Sequence, residues 1–149
     1  MQKEKKDALW IFHHEELRDL LKKEISLMRE LLTNMHEEER SLLFHDESLL
    51  KYTLETRSYL AKQIGEVHQK RLKKTKEIET ITTDYALTAP PGEDVSTEMS
   101  SLKDQLTALT EQVNRQQDAN QHLMDHPNAL PPDVQVTVKN KKKISITTK

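Results

Sequence analysis

Seven histidines and 25 carboxylates are the groups in this chain able to hold a metal or to move protons, and there is no cysteine. Thiolate nucleophiles, disulfides and zinc–sulfur sites are therefore excluded. His122 and His126 stand four apart with Asp125 beside them, the spacing that sets two imidazoles on one helical face. Pro127 follows at once and interrupts regular geometry, so this pair reads as solvated residues near a helix C-terminus, where positive charge is favoured. His13 and His14 are adjacent and face different ways. His36 precedes Glu37, Glu38 and Glu39, a run that reads as a solvated face. The carboxylates Glu15, Glu16, Glu77 and Glu79 would need a pocket to become acids or bases. A di-metal helical bundle needs Glu-x-x-His on two helices, and no Glu here stands three residues before a His. Two glycines cannot build a phosphate-cradling loop. The expectation is a protein without catalytic residues, metal or cofactor.

Other side chains suggest contact rather than reaction. Lys70, Arg71, Lys73, Lys74 and Lys76 form a basic block, but Glu66, Glu77 and Glu79 flank it and no aromatic residue interleaves it. A solvated helix face is expected there, not a nucleic-acid site. Lys139, Lys141, Lys142 and Lys143 form a shorter cluster near the end of the sequence. Trp10, Ile11 and Phe12, with Leu9, are expected to cap the end of a bundle, with a contact site for another chain as the alternative.

The elements that would position these groups are helices. Leu50, Thr53, Arg57, Leu60, Ile64, Val67, Arg71, Lys74, Ile78, Ile81 and Tyr85 follow one another by alternating steps of three and four, a heptad seam. Met99, Leu102, Leu106, Leu109, Val113, Gln116, Asn120 and Leu123 repeat the pattern. Upstream, Leu21, Ile25, Met28, Leu32, Met35 and Leu42 form one stripe, and Leu17, Leu20, Leu27 and Leu31 a second beside it. Two adjacent stripes make a face wide enough for two neighbours. Glu24 and Glu39 fall within it, so the seam is not uniformly dry.

The expected helices span about 7–44, 49–85 and 98–125. Asp7 and Asp46 are N-cap candidates for the first two, and Ser96 or Thr97 for the third. No glycine or proline enforces the first break near His45, so one bent helix stays open as an alternative to an antiparallel hairpin. Pro90-Pro91-Gly92 cannot continue a helix. The expected organisation is a hairpin over 1–85, a linker over 86–95, a third, partner-binding helix over 96–125 and a tail over 126–149. Within the tail, 134–138 and 144–148 alternate apolar and polar, which suits a short β-hairpin or a flexible end. The fold class is thus all-α, a long coiled-coil-like hairpin plus a third helix. The net charge of −2 favours neither nucleic acid nor an anionic membrane. The apolar run at 8–12 is too short for a signal peptide, and no stretch reaches membrane-spanning length, so a cytoplasmic protein is expected.

Residues 15–80 resemble the FlgN family of export chaperones. The likeness is carried by Glu24 through Leu32, Glu37 through Leu43, then Asp46, Leu49, Leu50, Thr53 and Arg57. It implies a small cytosolic helical chaperone that holds flexible ends of export substrates for a type III secretion apparatus, with substrate contacts in the C-terminal helical region. On this chain that region carries Leu102, Leu106, Leu109, Val113, Gln116 and Asn120. The partner is then a secreted client. The alternative is a structural coiled-coil component whose third helix drives self-association.

Overall fold

A computed structural model describes residues 2–84 and 93–126, and they form three helices. These are α1 (Gln2–Leu43), α2 (Glu47–Asp84) and α3 (Glu93–Asp125), with no strand among the described residues. The segments at 134–138 and 144–148 lie outside the described residues, as do residues 86–92 of the expected linker.

The break between α1 and α2 is a true reversal. The Phe44 N–H donates to the Arg40 carbonyl and the Asp46 N–H to the Ser41 carbonyl, both at 2.9 Å. His45 between them has φ 58°, the left-handed conformation that closes a helix in a Schellman-type cap. Asp46 then starts α2 as its N-cap: Oδ1 accepts from the Leu49 N–H at 3.0 Å. A histidine thus does what a glycine usually does, which is why no sequence breaker marks the turn.

Two boundaries differ from expectation. α1 already runs from Gln2, so Asp7 lies inside it rather than at a cap. Lys3, Glu4, Lys5 and Lys6 are all good helix formers and extend the helix upstream. α3 begins at Glu93, directly after Pro90-Pro91-Gly92, so Ser96 and Thr97 are not its caps.

α1 is the central element: α2 and α3 each pack along it and approach one another far less. Contacts from Glu24 to Arg71 and from Asn34 to Arg57 make α2 antiparallel to α1. Those from Lys22 to Glu98 and from Met35 to Asn120 make α3 parallel to it. The topology is up-down-up. Leu21, Met28 and Leu31 of α1 are fully buried and meet Leu60 and Ile64 of α2 and Leu102, Leu106 and Val113 of α3. Each such side chain contributes about 1.5–3 kcal/mol by leaving water. A smaller cluster of Leu42, Leu50 and Met124 joins the three helices at the turn end. Trp10 is buried, as the capping reading expected, whereas Phe12 is exposed.

Candidate functional site

The heptad stripes carry polar residues into the core, and three polar layers result. The first lies near the turn and joins all three helices. Arg57 of α2 pairs through Nη1 with Glu38 Oε2 at 2.8 Å, and both side chains are buried. Arg57 Nε donates to Asn34 Oδ1 at 3.1 Å, and Asn34 Nδ2 donates to the Thr53 carbonyl at 2.9 Å. From α3, Asn120 Nδ2 donates to Glu38 Oε1 and to the Met35 carbonyl, each at 2.8 Å. Gln116 donates to Asn120 Oδ1 at 2.9 Å and also reaches Glu39. Glu38 is therefore a carboxylate wholly inside the protein, held between a guanidinium and an amide. Arg57 Nη2 is buried with no hydrogen-bond partner among the described residues, which offsets part of what the pair gains.

The second layer crosses only α1 and α2. Arg71 Nε donates to buried Glu24 Oε2 at 2.6 Å, and Arg71 Nη2 lies 2.9 Å from His68 Nδ1. A guanidinium can only donate, so Nδ1 accepts in this arrangement and the ring proton sits on Nε2. Glu24 Oε1 is 3.3 Å from the same nitrogen. The third layer, near the open end of the hairpin, centres on Lys74. Its ammonium contacts Glu16, Glu77 at 2.9 Å and His13 Nδ1 at 3.1 Å. Partial burial pulls the Lys74 pKa down, but the hydrogen bonds its ammonium donates to Glu16 and Glu77 outweigh it and hold the pKa above its ordinary value. The hydrogen bond from Lys74 in turn depresses the Glu77 carboxyl, against a smaller opposing effect of desolvation.

Among the described residues no three His, Asp or Glu side chains are placed to hold a metal ion. The His126 ring bonds the His122 carbonyl at 2.8 Å instead of sharing a ligand with His122. His14 stacks on Trp10 and bonds its carbonyl at 2.9 Å, and burial lowers its pKa. Among the described residues no helix is long and apolar enough to cross a membrane.

The expected partner-binding residues are spent within the monomer. Leu102, Leu106, Val113 and Asn120 are buried, and Leu109 and Gln116 are half-buried, all along the α1-facing side of α3. Leu102, Leu106, Val113 and Asn120 would become accessible only if α3 left α1. Thr110 and Met124 belong to the same face and were not in the heptad reading, because the true stripe drifts between steps of three and four. Glu38 was missed too: it was grouped with Glu37 and Glu39 as a solvated run. Its spacing from Leu31, Asn34 and Leu42 was the available signal. The basic block divides: Arg71 and Lys74 turn inward to Glu24 and Glu16, while Lys70, Lys73 and Lys76 are exposed.

No family model, no curated protein and no solved structure matches this chain.

Proposed function

We propose that this chain is a cytoplasmic, non-enzymatic binding protein that holds a flexible segment of a partner, in the manner of the FlgN-like export chaperones its first two helices resemble. The supporting observation is how α3 is attached. It packs mainly along α1 and meets α2 chiefly at the turn end, and its buried stripe of Met99, Leu102, Leu106, Val113 and Met124 is interrupted by Thr110 and Asn120. Polar seam positions fix register at a cost in stability, and a helix held by one neighbour exchanges partners more readily than one held by two. In this reading α3 leaves α1, and its apolar stripe, with the groove it vacates, receives a segment of an export substrate.

The chain's freedom from cysteine makes a direct test available. Cysteines introduced at Glu39 and Gln116, whose side chains touch, would tether α3 to α1 when oxidised. The wild-type chain is expected to co-purify with a secreted protein from its native cells. The oxidised E39C/Q116C protein should lose that client and the reduced form regain it. Equal recovery in both forms removes α3 from the binding site. The rival reading, a self-assembling structural component, draws on Leu43, Phe44, Tyr52 and Tyr59, all more than half exposed. Sedimentation of the purified chain separates them, since only that reading requires an oligomer without a client.

A further inference from the structure

The hairpin has a flank that α3 does not use. Glu16, Asp19, Leu20 and Lys23 of α1 face Lys70, Lys73, Lys74 and Glu77 of α2 across a groove of about 500 Å³. At about 100° per residue, Glu16, Leu20 and Lys23 lie well round that helix from Arg18 and Lys22, which hold α3 through Glu98, while Asp19 stands at the edge and pairs with Arg18 at 3.5 Å. Half-buried Leu20 gives the groove an apolar floor. Lys74 is committed to Glu16 and Glu77. Lys23, Lys70 and Lys73 are exposed and make no ion pair among the described residues, although Lys73 helps keep Glu77 ionised.

The same line continues along α2. Tyr52, Tyr59 and Lys70 fall within about 20° of one another around the helix axis, and both tyrosines are more than 60% exposed. Lysines, an apolar floor and two amphipathic rings thus share one track of about 30 Å.

We propose that this track docks an amphipathic helix of a protein partner. Its carboxylates would meet Lys23, Lys70 and Lys73, one apolar side chain would cover Leu20, and its far end would rest on Tyr59 and Tyr52. The signs along the groove select this occupant. Glu16, Asp19 and Glu77 line it beside the lysines, so a continuous phosphate backbone would pass over three carboxylates, whereas a helix places its acids one by one. No aromatic ring stands among the lysines to stack a base. This surface goes beyond the α3 reading, because it is open while α3 stays seated.

The test uses the full chain and a fluorescein-labelled, Leu- and Glu-patterned helical peptide of about 20 residues, the length that spans the track. Amide shifts are expected at residues 19–23 and 70–74 and at Tyr59. K70E/K73E should weaken binding about tenfold, as should raising the salt. Oxidised E39C/Q116C protein should bind unchanged, which separates this surface from the α3 site. Absence of binding, shifts confined to α3, indifference to K70E/K73E, or tighter binding of single-stranded DNA would each overturn the proposal. Unchanged melting of K70E/K73E ensures that a loss is read as lost contact, since both lysines are exposed.

Discussion

The two seams that meet on α1 are built from different materials. Against α2, the helix buries whole charges: Glu38 with Arg57, and Glu24 with Arg71, while Lys74 bridges Glu16 and Glu77 at the rim. Against α3, it offers apolar side chains, the Met35 carbonyl and the carboxylates of Glu38 and Glu39, which neutral amides of Asn120 and Gln116 meet, and the ion pairs there are those of Arg18 and Lys22 with Glu98 at the surface. The α1–α2 pair is also closed by a capped turn. Breaking a buried charge pair strands a charge, whereas breaking an amide contact strands only a dipole. The hairpin is consequently expected to open last, and α3 to be released at lower cost.

The largest effect should come from Glu38→Leu, which leaves Arg57 buried without its carboxylate. A loss of about 3–5 kcal/mol is expected in urea unfolding. Adding Arg57→Met should recover much of it, because no unpaired charge then stays in that layer while Asn34 and Asn120 each keep a carbonyl partner. Asn120→Leu, on the α3 side, should cost less, about 1–3 kcal/mol. If it costs more than Glu38→Leu, the asymmetry between the seams is wrong.

Native-state hydrogen exchange sharpens the same contrast. Amides of α3 should exchange through a partial opening, at lower free energy than those around Leu21 to Met35, which should follow global unfolding. Equal protection in the centres of α1 and α3 would make the three helices one cooperative unit and weaken the case for α3 as the exchangeable element.

Smaller gains are expected within the hairpin. His45→Gly relieves the left-handed residue of the turn and should add about 1 kcal/mol. Gly65→Ala should add about 0.5–1 kcal/mol, because a methyl there meets nothing within 4 Å and the helix gains propensity.

The smallest effect is electrostatic and reads out the rim layer. Glu77 is depressed, so its contribution is present above its unfolded pKa and fades as the pH falls through the folded value. Lys74 is raised, so its contribution is present below its unfolded pKa and fades as the pH climbs through the folded value. Lys74→Met should flatten both limbs of the stability–pH profile. A profile that keeps its acid limb would assign that limb to other carboxylates.

Much of the hairpin was legible from spacing alone. The α2 stripe from Leu50 through Ile78 faces inward as its steps of three and four require, and Asp46 caps α2 as its type and place suggest. The reversal itself was less legible, because His45 adopts a conformation that sequence rules reserve mostly for glycine. The candidate site was legible only as a face: Leu102, Leu106, Val113 and Asn120 do lie on one side of α3, but that side is covered by α1.

The sequence by itself determined the three helices, to within a few residues at their ends, and the main apolar face of each, because both follow from local propensity and the turn of a single helix. It could not determine which carboxylate of Glu37, Glu38 and Glu39 goes inside. Neighbouring positions differ by about 100°, and at the edge of a wide stripe the choice depends on what stands opposite. Arg57 and Asn120, 19 and 82 residues away, made that choice for Glu38, as Arg71 did for Glu24. The parallel run of α3 along α1 was likewise a tertiary decision. A stripe records that a partner is required, and only packing says which helix supplies it and in which direction.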